Sequence, residues 1–277
     1  MTRTTGLIAL WAIPRSRSTA LFRSLMNVKD AVFVHEPFAD LMDLGYAVLP
    51  DEEAGQMIAR SADAMLDQLL KLSRTRRVIL KETVEHDYSF RRNPRFLRAV
   101  QHILLVRRPE DVVASHLRLK PHVRCEEIGF ENLHRLWRTA CETPGVDPVV
   151  LDSDALIADP DAVVSNLCRR LGVPYDPSML TWSPGDQQVW ARSAVWHKDV
   201  AKSGGFRRKA VTASPRAPDL GDEALRPNWR EFVDYHTPFY HDLLKARLTV
   251  EPSSAAAQAT SSSPGATAGA DRTPELV

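Results

Sequence analysis

Residues 7–26 read LIALWAIPRSRSTALFRSLM and decide the fold class. The apolar run over residues 6–13 predicts a buried β-strand. A polar turn over residues 14–19 follows it. Apolar residues at helical spacing then predict a helix over residues 19–26, with one face made of Leu21, Phe22, Leu25 and Met26. A buried strand that passes through a short turn into a helix is typical of an α/β fold.

The same alternation continues along the chain. Short apolar runs predict further strands, and amphipathic patterns between them predict helices. The predicted strands cover residues 31–35, 78–81, 102–106 and 148–152, and the predicted helices cover 53–72, 110–119, 126–141 and 161–171. This order predicts a central, mostly parallel sheet that is covered by helices on both faces.

Composition limits the class of protein. The 277 residues fit one domain over residues 1–250, followed by a disordered Ser-, Ala- and Pro-rich tail over residues 251–277. A loop is expected over residues 214–227. A formal net charge of +1 disfavours a dedicated nucleic-acid binder, and no apolar run is long enough to span a membrane. Three cysteines without close spacing predict neither disulfides nor a zinc site, as expected in the cytoplasm.

The turn at residues 14–19 carries the groups of an anion site. A helix start offers free N–H groups and a favourable dipole, and Ser16, Ser18 and Thr19 add hydroxyls. Arg15 and Arg17 supply planar cationic forks that suit phosphate or sulfate oxygens. The turn has neither the Gly nor the Lys of a nucleotide-triphosphate loop, which disfavours an ATP-dependent kinase. The alternative is an ordinary helix start with exposed arginines.

The stretch PRSRSTAL after a first strand resembles the 5′-phosphosulfate loop of sulfotransferases. These enzymes transfer a sulfuryl group from 3′-phosphoadenosine 5′-phosphosulfate (PAPS). In this family a strand ends in an Arg, and a Ser eight residues later joins it in binding the nucleotide 3′-phosphate. Arg107 and Ser115, within HILLVRRPEDVVAS at residues 102–115, match that spacing. The alternative is that Arg107 and Arg108 only neutralise acidic residues at a helix start.

A third match lies further along the chain. Trp182, Trp190, Trp196 and the sequence KSGGF at residues 202–206 resemble a bacterial and plant branch of sulfotransferase-like proteins. Some of that branch bear the name branched-chain-aminotransferase-like. The basic run FRRK at residues 206–209 is similar to the loop that closes on the 3′-phosphate in other sulfotransferases, which implies roles for Arg207 and Arg208. Ala210 replaces the usual Gly there, and a solvated basic patch is the alternative.

The resemblance also implies candidates for the catalytic groups. A carboxylate just after the second strand can act as general base in this branch, and Glu36 holds that position. Lys81 matches a Lys that stabilises the transferring group. Thr83 replaces the His that often follows, so His86 remains a second candidate for the base. Each candidate has an alternative role, since Glu36 can cap a turn and His86 can be an exposed loop histidine.

Together these matches imply a P-loop-like, three-layer α/β/α sulfotransferase fold. The expected reaction is the PAPS-dependent sulfation of a hydroxyl on a small molecule by in-line displacement, without a metal ion. Two alternatives stay open at this point. One is a P-loop-type kinase that uses ATP, and the other is a protein that binds the nucleotide without catalysis.

Overall fold

A computed structural model of the chain describes residues 6–206 and 226–250. This part holds seven strands: β1 (Gly6–Ala12), β2 (Ala31–His35), β3 (Ala47–Asp51), β4 (Gly55–Ala59), β5 (Arg77–Thr83), β6 (Val100–Val106) and β7 (Val149–Asp152). It also holds ten α-helices: α1 (Ser18–Leu25), α2 (Pro37–Leu44), α3 (Ala62–Thr75), α4 (Pro94–Ala99), α5 (Pro109–Leu117), α6 (Phe130–Glu142), α7 (Ser153–Ala158), α8 (Pro160–Leu171), α9 (Lys198–Ala201) and α10 (Arg226–Lys245). Short 3-10 helices lie at Ser89–Arg92, Cys125–Ile128, Pro177–Leu180 and Gln188–Trp196.

Five strands form one sheet in the order β2-β5-β1-β6-β7, and every pair in it is parallel. Alternate residues of β1 enter two separate cores, with Trp11 in one and Leu10 in the other. The first core lies under α3, α5, α6 and α10, and the second lies under α1 and α8. The predicted three-layer α/β/α fold with a parallel sheet is therefore confirmed.

Residues 47–59 form an antiparallel hairpin of β3 and β4, so the helix predicted over residues 53–72 is wrong at its beginning. The Asp51 carboxylate accepts hydrogen bonds from the backbone N–H groups of Glu53 and Ala54, at 3.0 and 2.8 Å, and turns the chain. Gly55 follows with a φ of +76°, which a glycine adopts without strain. The helix begins only at Ala62, where the Ser61 hydroxyl accepts from Ala64 N.

Helix α10 was not expected from the sequence. It packs against α5 and α6, and its own Leu243 is fully buried. Because α10 begins at Arg226, the loop predicted over residues 214–227 is wrong at its last two residues. The rest of that loop, Arg207, Arg208 and the predicted tail lie outside the described residues. Within the described ranges, no helix is long and apolar enough to cross a membrane.

Candidate active site

The carboxyl ends of the parallel strands meet at one edge of the sheet, where ligands bind in open α/β folds. Strand β1 lies at the centre of that edge, between β5 and β6. The loop to α1 leaves from β1, and the groups that surround this loop follow β2, β5, β6 and β7. The order of strands therefore brings together side chains that are far apart in sequence.

The β1–α1 loop has a backbone suited to an anion. Arg15 and Arg17 both adopt left-handed conformations, with φ of 67° and 69°, on either side of Ser16. Turns of this kind can form a concave, anion-binding nest. The Ser16 N–H itself donates to the Ile13 carbonyl at 3.2 Å, which leaves the N–H groups at the start of α1 for an anion. No side chain caps the start of α1, and the buried Ser16 hydroxyl has no hydrogen-bond partner among the described residues. These free donors are the ones that a phosphate or sulfate group would satisfy.

Arg15, Arg107 and Ser115 form one cluster. Arg15 Nε donates to Ser115 Oγ at 3.1 Å, and Arg107 Nη1 donates to the Arg15 carbonyl at 3.0 Å. Burial lowers the pKa of both guanidinium groups, that of Arg107 to about 10. Arg107 Nε is buried without a partner in the described part of the chain, so it retains a donor for a ligand. The predicted pair of Arg107 and Ser115 is thus joined through Arg15.

Arg17 contacts the residues that follow β7. Its Nη1 donates to Ser153 Oγ at 2.9 Å and to Asp154 Oδ1 at 2.7 Å. The second oxygen of Asp154 lies 3.0 Å from Arg108 Nε, so one carboxylate bridges two arginines. Asp154 therefore competes with any bound anion for these two cations.

Lys81 and Glu36 form a buried ion pair at the ends of β5 and β2. Lys81 Nζ contacts Glu36 Oε1, and the Lys81 side chain is only 2% exposed. Glu36 N also donates to the Lys81 carbonyl at 2.7 Å, which fixes the two residues together. Glu36 has a left-handed φ of 49° and directly precedes α2. The structure thus brings together two of the three predicted catalytic residues.

His86, the third, makes no described contact with that pair. Its Nε2 lies 3.5 Å from Glu85 Oε1, and its side chain is about a third exposed. Burial is the main cause of the raised pKa of the Glu85 carboxyl group, and the charges of Glu36 and Lys81 also act on it. Glu82 is fully buried, and burial with the Glu36 charge raises its pKa to about 8. Its Oε2 accepts from Phe38 N at 2.8 Å and so supports the start of α2.

Two buried histidines complete the edge. His197 Nδ1 lies 3.0 Å from Thr19 Oγ1, and its ring centroid lies 5.0 Å from that of His35. Burial and then the Lys81 charge lower the pKa of His35 to about 2 and that of His197 to about 3. His35, Glu36 and His197 offer ligand atoms within 4.8 Å of one another. Lys81 already contacts one oxygen of this carboxylate, so a metal ion there would lie beside a buried ammonium group.

Sequence reasoning missed Asp154 and His197 as parts of this site. The segment that carries His197 is fastened by Gly205, which forms a bridge with Thr181. A Cβ on Gly205 would lie 2.7 Å from the Leu180 carbonyl, and its φ is +156°, so only glycine fits. The KSGGF motif containing Gly205 was the one local signal that this segment is held in a fixed place.

The sequence model of the family described as "Sulfotransferase domain" matches residues 7–230. Branched-chain-amino-acid aminotransferase-like protein 1 of Arabidopsis thaliana is 26% identical over 205 residues, which is 72% of this chain and 36% of that protein. The corresponding protein 2 of the same plant is 24% identical with the same coverage. The chain therefore spans about a third of the length of these curated relatives.

Two solved structures are also similar. One is the sulfotransferase domain from the curacin biosynthetic pathway, with a TM-score of 0.48, 17% identity, and coverage of 89% of this chain and 100% of that one. The other is sulfotransferase STF1 of Mycobacterium tuberculosis H37Rv, with a TM-score of 0.36, 16% identity, and coverage of 64% and 70%. The family match spans both segments that are predicted to bind anions, the Lys81–Glu36 pair and His197. The resemblance noted in the sequence is thus confirmed, and the chain belongs to the sulfotransferase domain family.

Proposed function

We propose that this protein transfers a sulfuryl group from PAPS to a hydroxyl of a small-molecule acceptor. The observation that carries the proposal is the grouping of Arg15, Arg107 and Ser115 around a loop with unsatisfied donors, beside the Lys81–Glu36 pair. An arginine-lined loop can hold the phosphosulfate, and a second arginine with a hydroxyl can hold the 3′-phosphate. Arg207 and Arg208 are proposed to join the 3′-phosphate contacts.

The chemistry needs a base and a cation beside the sulfur atom. The acceptor oxygen forms a bond to sulfur while the bond from sulfur to the phosphate oxygen breaks. Adenosine 3′,5′-bisphosphate leaves, and the hydroxyl proton passes to the Glu36 carboxylate. Lys81 orients that carboxylate and adds positive charge beside the transferring group. No step in this scheme calls for a metal ion.

The three free cysteines fit a reducing cytoplasm, where we place the reaction. Mild overall charge fits a small acceptor better than a strongly anionic polymer. Fractionation of cells that produce the full chain tests the location.

The direct test is incubation with labelled PAPS and extracts of candidate acceptors, followed by mass spectrometry for a sulfated product. Glu36→Gln is expected to keep the affinity for adenosine 3′,5′-bisphosphate and to lose most turnover. Glu53→Gln on the exposed hairpin is the matched control. Unchanged turnover in Glu36→Gln would remove Glu36 as base. A preference for ATP with magnesium would replace the proposal by a kinase, and nucleotide binding without transfer would replace it by a binding protein.

A further inference from the structure

His197 is buried at the edge of the anion loop without a role in the scheme above. It follows the 3-10 helix Gln188–Trp196, and 178 residues separate it from Thr19, whose hydroxyl it contacts. Its ring also packs edge-on against His35 and Trp190, at 5.0 and 5.9 Å between centroids. Lys81, Glu36 and Arg15 all interact electrostatically with the His197 ring, so this histidine lies within the candidate site.

Both ring nitrogens of His197 face a hydroxyl. Nδ1 lies 3.0 Å from Thr19 Oγ1, and Nε2 lies 3.1 Å from Ser193 Oγ. Ser193 Oγ has one other acceptor within reach, the Trp190 carbonyl at 3.4 Å. A neutral imidazole has one N–H and one acceptor nitrogen, and each hydroxyl has one proton to donate. The three groups can therefore form a hydrogen-bond chain in either of two directions.

In one direction Thr19 donates to Nδ1, Nε2–H donates to Ser193, and Ser193 donates to the Trp190 carbonyl. In the other direction Ser193 donates to Nε2 and Nδ1–H donates to Thr19 Oγ1. Only this second direction frees the Thr19 proton for another acceptor. An anionic oxygen at the loop would accept that proton, so its binding selects the second direction.

We propose that Ser193 and His197 form a relay that orients the Thr19 hydroxyl as a donor to the anion bound at the β1–α1 loop. His197 is thus a positioning residue that acts through Thr19. The inference rests on the proposed function for the identity of the anion, a phosphosulfate or phosphate group. It predicts that anion binding converts His197 from its Nε2–H to its Nδ1–H tautomer.

Two substitutions at His197 separate this role from a structural one. Asparagine places an amide nitrogen near the position of Nδ1 and can still donate to Thr19, whereas glutamine places its polar end near Nε2. Both remove the ring contacts with His35 and Trp190 equally. His197→Asn is expected to bind adenosine 3′,5′-bisphosphate within about threefold of the unchanged protein. His197→Gln is expected to bind about tenfold more weakly, the effect of one hydrogen bond to a charged group.

The measurements are calorimetric titration with adenosine 3′,5′-bisphosphate and nitrogen NMR of the histidine rings in the full chain. Inorganic sulfate is titrated in parallel. Ser193→Ala is expected to weaken binding of the nucleotide, because it removes the donor that holds Nε2 as an acceptor. His134→Asn, at a histidine on α6 that packs beside Trp137 and Phe239, is the control and is expected to change neither readout.

Equal loss of affinity in His197→Asn and His197→Gln would overturn the relay, and so would an unchanged His197 tautomer when the nucleotide binds. In those cases the proposed function would stand. A tautomer change on sulfate binding without any sulfated product from PAPS would overturn the proposed function and leave the relay in place. Binding of neither anion would overturn both.

Discussion

Removing the Glu36 carboxylate is expected to destabilise the protein through Lys81. The ammonium group of Lys81 is almost fully buried and pairs with Glu36. Breaking a buried ion pair by removing one partner costs about 3–5 kcal/mol, because the other charge is left without its partner. Glu36 is 17% exposed, so water can partly replace it, and we expect Glu36→Ala to cost about 3 kcal/mol. For a domain of this size that lowers the melting temperature by roughly 6–12 °C.

A double-mutant cycle isolates the pair. Lys81→Met is expected to cost less, about 1–2 kcal/mol, because the partly exposed Glu36 carboxylate can then bind water. The double variant Glu36→Ala, Lys81→Met holds no unpaired buried charge from this pair. Its loss should be smaller than the sum of the two single losses by about 2 kcal/mol. Urea unfolding at pH 7, followed by circular dichroism, measures all four free energies of unfolding.

The exposed pair of Arg95 and Asp67 serves as the control cycle. Its atoms lie 3.0 Å apart, and both side chains are more than half exposed. Such a pair is expected to show a coupling of about 0.5 kcal/mol or less. If the losses from Glu36→Ala and Lys81→Met add within about 0.5 kcal/mol, the reasoning about the buried pair is refuted.

Three further outcomes are expected. Arg107→Gln should weaken binding of adenosine 3′,5′-bisphosphate about 10- to 100-fold in calorimetry. Arg124→Gln, at an exposed arginine, is the control and should change this affinity less than threefold. An equal effect of the two substitutions would contradict a ligand role for Arg107. Asp154→Asn removes the carboxylate that pairs with Arg17. It should strengthen nucleotide binding several-fold at low salt and make the affinity depend more steeply on salt. Weaker binding would show that Asp154 positions Arg17 instead of competing for it. The third outcome concerns His102, because burial lowers the pKa of this histidine to about 4. In the unfolded chain His102 takes up a proton below about pH 6.5, whereas in the folded protein it stays neutral. As the pH falls from 7 to 5, this difference therefore lowers the free energy of unfolding by about 2 kcal/mol. Between pH 7 and pH 5, the free energy of unfolding of His102→Gln, measured with urea, should fall by about 2 kcal/mol less than that of the unchanged protein. An unchanged pH dependence of stability in this variant would contradict the role of His102.

The parallel sheet could be predicted because its strands are buried on both faces. Such strands appear in the sequence as continuous apolar runs: β1 is buried at every residue after Gly6, and β6 is buried at every residue except Gln101. The hairpin of β3 and β4 carries no such signal. Only one face of the hairpin packs against the core, so exposed Val48 and Ile58 alternate with buried Leu49 and Ala59. In the sequence, this short alternation could not be distinguished from the amphipathic pattern of α3 that follows it.

The loop between β1 and α1 could also be predicted, because its signals lie within a few consecutive residues. The pairing of Lys81 with Glu36 depends on strand order, since β2 lies beside β5 and His35 is in register with Lys81. Nothing near Thr19 in the sequence points to His197, and nothing near Arg17 points to Asp154. Contacts of this kind arise only when distant elements reach the same edge of the sheet.

The distance along the chain between the loop and its partners has a consequence for synthesis. Arg15 donates to the Trp196 carbonyl, 181 residues away, and Thr19 contacts His197. Because a chain emerges from the ribosome in order, β1 and α1 leave it well before the residues that hold their polar groups. All five strands of the sheet precede residue 153. A nascent chain can therefore assemble its sheet while the proposed nucleotide site is still incomplete. The proposed binding capacity would be acquired only when the last quarter of the described chain has been made.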